Sequence, residues 1–72
     1  MSTPAISRLV DLTRDTNNDV KTAAIYALGE SGYKTTATIS RLTDLTRDIN
    51  NDVKIAAIKA LGRILRPDTA TH

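Results

Sequence analysis

Asp15, Asn17 and Asp19 stand at alternate positions, and Asp48, Asn50 and Asp52 repeat the pattern. Oxygen side chains at that spacing open a calcium-binding loop, in which carboxylates and amides converge on a hard cation. The rest of such a loop is missing. Its sixth position falls on Val20 or Val53, where glycine is needed, and its twelfth on Tyr26 or Lys59, where a glutamate should chelate. No metal site is expected, and the asparagines read better as caps in a turn between helices. A second set, Arg8, Asp11, Arg14 and Asp15, recurs as Arg41, Asp44, Arg47 and Asp48. Paired carboxylates can do acid–base work. At helical spacing beside arginines, however, they form surface ion pairs contributing roughly a few tenths of a kcal/mol each.

The remaining chemistry is sparse. Ser7 and Ser40 have no base beside them, there is no cysteine, and the single histidine is His72, the last residue. Thiol catalysis, zinc–thiolate sites and disulfides are excluded, and Ser-His or Cys-His arrangements are nearly so. Tyr26 and Tyr33 are the only aromatic residues, too few for an aromatic-lined cofactor pocket or a base-stacking platform. The chain therefore reads as a non-enzyme without cofactor or catalytic residues.

The elements that carry these residues are organised by a repeat. Residues 7–30 and 40–63 align without a gap at an offset of 33, identical at 19 of 24 positions. Each unit reads as two helices, and no strand pattern appears. Thr3 and Pro4 open the first helix, with Ile6, Leu9, Leu12 and Thr13 forming an apolar stripe. The equivalents are Thr36, Ala37, Ile39, Leu42, Leu45 and Thr46. Asn17 or Asn18 caps the second helix, whose buried face is expected to carry Val20, Ala24, Ala27 and Leu28, with Ile25 alongside. Gly32 stops that helix, and Arg66-Pro67 stops its counterpart. The expected domain is residues 1–66, with one repeat over 3–33 and the other over 36–66, followed by a disordered tail at 67–72.

The run Asp-Val-Lys, two residues, Ala, an apolar residue, one residue, Ala-Leu-Gly occupies 19–29 and 52–62. With the preceding Leu9-x-x-Leu12-x-x-Asp15 segment, it resembles the HEAT-like repeat. It is most similar to the short subfamily known from phycobilisome lyases and artificial alpha-helical repeat scaffolds. The resemblance covers residues 3–66. It implies an all-α fold of two stacked helical hairpins, a short α-solenoid segment. It also implies an inter-repeat ladder of Asp15 and Asp48 with Lys21 and Lys54. Lysine stands where the family usually has arginine, which removes a forked, two-pronged bond. Asn18 replaces the subfamily's proline, and Ser31 replaces an apolar residue beside Gly32.

Differences between the copies carry the functional expectation. They are Val10/Thr43, Thr16/Ile49, Thr22/Ile55, Tyr26/Lys59 and Glu30/Arg63. Positions 22, 26 and 30 lie four apart on one face of the second helix, and Tyr33/Arg66 extends the stripe. In HEAT-like arrays the second helix lines the concave surface. Thr22, Tyr26, Glu30 and Tyr33, with Ile55, Lys59, Arg63 and Arg66, are therefore the candidate contacts for a protein partner. The first 33 residues hold three cations and four carboxylates, and the remainder seven cations and four carboxylates. Lys59, Arg63 and Arg66 form a small basic patch, a weak footprint that keeps a nucleic-acid-binding HEAT-like module as an alternative without making nucleic acid the expected partner. The family resemblance also admits a small subunit or chaperone of a bilin lyase.

The near-identical units leave a similar apolar surface unmatched at each end of the stack, because neither unit is a specialised cap. The surface on which Ile39, Leu42 and Leu45 stack is expected to be covered by a second chain, as a homodimer. No apolar run is long enough to cross a bilayer, and no basic-then-apolar leader opens the chain. A cytoplasmic protein is the expectation.

Overall fold

A computed structural model describes residues 3–66. The tail expected at 67–72, the capping side chain of Thr3 and the helix-stopping Pro67 lie outside that description. Among the described residues there are four helices and no strand: α1 Thr3–Leu12, α2 Asn18–Ser31, α3 Thr36–Leu45 and α4 Asn51–Leu65. The fold is all-α, two helical hairpins stacked side by side.

Short polar side chains set the boundaries. Asn17, in extended backbone, accepts the N–H groups of Asp19 and Val20 at 2.8 and 3.1 Å, and Asn50 accepts that of Val53 at 3.1 Å. The cap of α3 is Thr35, one residue before the position read from the repeat; its Oγ1 accepts the Thr38 N–H at 3.2 Å. Gly32 ends α2 in the left-handed region, with φ 66°, and its N–H donates to Gly29 O. Ser31 Oγ helps close that end by donating to Leu28 O at 2.6 Å and accepting the Tyr33 N–H at 3.2 Å. Arg66 follows α4 in extended backbone, the conformation favoured before proline.

The core gathers Ile25 and Leu28 of α2, Leu42 and Leu45 of α3, and Val53, Ala56, Ala57, Ala60 and Ile64 of α4, with Ile6 of α1. Each first helix packs on its own second helix, and α2 against α4 is the most extensive contact. The hairpins therefore meet chiefly through their second helices rather than through Ile39, Leu42 and Leu45. Alanines on α4 permit this approach. A Cβ at Gly29 would lie 2.9 Å from Ala60 Cα, closer than real side chains pack.

Identical residues have different environments in the two units. Ile25 is fully buried and Ile58 is 56% exposed, whereas Val20 is 37% exposed and Val53 fully buried. Val20 and Ala27, expected on the buried face, are exposed and half-buried. The cause is position in the stack. Among the described residues, no hairpin packs on the leading side of the first unit or on the trailing side of the second.

Candidate functional site

The stripe is built on α2 and α4, whose orientation the asparagine caps fix. Thr22 is half-buried, and its hydroxyl donates to Asn18 O at 2.7 Å, within its own helix. Tyr26 and Ile55 are 43% and 46% exposed, large apolar surfaces on adjacent helices. Glu30 and Arg63 join the two helices, with Oε1 to Nη1 at 3.0 Å, both side chains largely in solvent. They occupy the same repeat position, so the pair sets the stripes in register. Tyr26 with Lys59, and Thr22 with Ile55, fall one and two turns earlier. Lys59 and Arg66 are exposed.

Tyr33 leaves the stripe. It lies beyond the Gly32 reversal, half-buried against the core, where it lines a groove with Ile6 and Val10 of α1 and Thr38 of α3. The left-handed turn carries the chain from the second-helix layer towards the first, and Tyr33 goes with it.

Polar contacts cross between the hairpins elsewhere. Lys21 Nζ lies 3.4 Å from Asp48 Oδ2, a partly buried pair. The Asn50 backbone N–H donates to Asp48 Oδ1 at 2.8 Å, and this bond, with Lys21, holds the carboxyl below its usual range against the opposing effect of burial. Asp15 Oδ1 accepts the Asn17 N–H at 2.9 Å. Neither Asp15 nor Lys54 has an ion-pair partner among the described residues. The side-chain oxygens of Asp15, Asn17, Asp48 and Asn50 thus face backbone N–H donors, and no group of three or more metal-ligating side chains of the Asp, Glu, His or Cys type forms among the described residues.

Arg41 makes the other crossing. Its Nε donates to Thr13 Oγ1 at 2.9 Å and its Nη2 to Thr13 O at 3.1 Å. The guanidinium closes a free carbonyl just past α1, where a cation is favoured. Burial, followed by the nearby charge of Arg14, lowers the arginine's pKa from its ordinary value. The pairs Asp11–Arg14 and Asp44–Arg47, at 3.9 and 3.6 Å, lie in solvent.

A model of HEAT repeats matches residues 3–72. The chain belongs to the HEAT-repeat family. No curated protein and no solved structure matches it. HEAT repeats generally mediate protein–protein interaction and are typically non-enzymatic scaffolds. No helix of this HEAT chain among the described residues is long and apolar enough to cross a membrane.

Three features of these HEAT hairpins escaped the sequence reading. Arg41 looked like a solvent charge, although Thr13 on the apolar stripe was a sign that a polar partner would be needed. Arg63 was grouped with free cations, but its repeat position opposite Glu30 already offered the pair. Ile49 stands in the sequence only as one of the differences between the copies, yet it is 97% exposed in the turn before α4.

Proposed function

We propose that this chain is a non-enzymatic interaction module that holds a protein partner on its second-helix face. The observation that carries the reading is the exposure of Tyr26 and Ile55 on the stripe where otherwise near-identical repeats diverge. Tyr26 is the anchor, bringing amphipathic area at small entropic cost. Ile55 extends the apolar patch, while Lys59 and the Glu30–Arg63 pair supply a polar rim. Thr22 lies at one end of the stripe and Arg66 at the other. Tyr33 belongs to a separate groove and is not part of this contact. The pairing of Arg63 with Glu30 weakens the basic footprint that nucleic acid would require. No feature of the site favours a bilin.

The apolar ends add self-association, as a dimer in its simplest form. Val20 is exposed at one end, and Ile58 and Leu65 at the other. Lys21 with Asp48 is the ladder rung inside the chain, and Asp15 and Lys54 are the unused halves of further rungs.

The partner-binding reading is tested by placing a photo-crosslinking amino acid at Tyr26, with the same group at Arg14 as an off-stripe control. A discrete adduct with another protein from position 26 alone is expected. Adducts only with a second copy, or only from position 14, would overturn it.

A further inference from the structure

The contact between the hairpins has two unlike sides. The first unit contributes Thr13, Lys21, Ile25 and Gly29; the second contributes Arg41, Asp48, Val53, Ala56 and Ala60. The repeat places an identical copy of each side at an end of the chain. Thr46, Lys54, Ile58 and Gly62 stand on the trailing end, and Arg8, Asp15, Val20, Ala23 and Ala27 on the leading end.

Resting on the reading that the ends self-associate, we infer that copies stack head to tail in the register of α4 on α2, each trailing end receiving the next copy's leading end. Ile58 then meets Val20 of the second copy, as Ile25 meets the fourth helix within the chain. Lys54 pairs with Asp15 of the second copy, and Arg8 of the second copy bonds Thr46. Arg63 lies between two Glu30 carboxylates, one from each copy, so this ion pair, whose repeat positions differ in charge, remains attractive.

Two residues make the case sharper than a general exposure of apolar surface. Ala56 is fully buried against the first hairpin, whereas its equivalent Ala23 is exposed on a face that no described residue covers. A Cβ at Gly62 would meet nothing within 4 Å, whereas at Gly29 it would strike Ala60. Glycine is a poor helix former, and no described residue packs against Gly62 closely enough to require it. In the proposed stack it faces Ala27 of the second copy, as Gly29 faces Ala60. The polarity also has a consequence. A head-to-tail contact uses unlike surfaces, so each added copy leaves the same two ends open.

The test is sedimentation equilibrium of the 72-residue chain over a roughly hundredfold concentration range, with Gly62→Gln and Ala23→Gln as end-blocked variants. Both positions are exposed, and circular dichroism should show unchanged helicity. The parent chain should grow in mass with concentration past a dimer, and each variant should associate at least about tenfold more weakly. An equimolar mixture of the two should form a dimer and stop there, because one good leading end meets one good trailing end. A parent that stays monomeric would overturn self-association itself. A parent that associates while both variants do so equally well would overturn the register, and a mixture that stays monomeric would overturn the head-to-tail polarity.

Discussion

Gly29 and Ala60 meet almost backbone to backbone, with room for no Cβ at position 29: its nearest neighbour would be Ala60 Cα at 2.9 Å. The same glycine at position 62 faces open space. One substitution therefore has opposite effects at the two sites. Gly29→Ala gains helix propensity but forces α2 from α4, and should destabilise by about 1–3 kcal/mol. Gly62→Ala, in dilute solution, should stabilise by about 0.5–1 kcal/mol. Urea denaturation of both variants decides it, and equal effects would be incompatible with the packing described.

Asp48 should matter more than its twin Asp15. Asp48→Ala removes both the Lys21 ion pair and the acceptor for the Asn50 N–H, whereas Asp15→Ala removes only the acceptor for Asn17. The difference should be about 0.5–1.5 kcal/mol in denaturation free energy.

The same carboxylate gives a pH dependence. The fold holds Asp48 below the usual carboxylate range, so folding favours its ionised form. Its contribution is complete above the ordinary aspartate pKa and is lost as pH falls through that range towards the depressed folded value. Asp48→Asn should flatten that part of the acid limb in a melting-temperature series from neutral to acid pH. An unchanged limb would mean that other carboxylates set it.

Arg41→Lys keeps the charge but cannot reproduce the two bonds from Nε and Nη2 to Thr13. A loss of about 1 kcal/mol is expected, because the Thr13 groups lie in a partly buried contact. Arg8→Lys, at the exposed equivalent position, should leave dilute-solution stability within about 0.5 kcal/mol. Thermal melts of the two variants at equal concentration provide the comparison.

Tyr26→Ala combined with Lys59→Ala should abolish partner capture while leaving the helical fold intact, at a stability cost of about 1 kcal/mol from the covered half of the Tyr26 ring. The readout is pull-down of the adduct found by crosslinking, alongside circular dichroism. Undiminished capture by a folded variant would place the contact elsewhere.

Much of this architecture was legible in the sequence. The offset of 33 set the two units, the apolar steps set the helices, and Gly32 marked the end of α2, while of the two candidate caps Asn17 and Asn18 it is Asn17 that caps the helix. Burial was not legible, because it depends on address as well as identity: Val20 and Val53 are the same residue in the same local sequence, with a preceding hairpin on only one of them. Tyr33 followed the helical spacing on paper, but Gly32 breaks the helix in between and sends it to the other layer. Arg41 was missed for a related reason. Its partner Thr13 lies 28 residues away, beyond the reach of any local pattern.

The principal contacts join helices that are consecutive in the chain or one repeat apart. Loop-closure entropy grows only with the logarithm of the span, and here the spans are short. Such local topology belongs with fast-folding helical proteins. Adding further units to the array would multiply these closures without lengthening any of them. The time needed to form each hairpin and dock it on its neighbour should then stay nearly constant however long the array becomes.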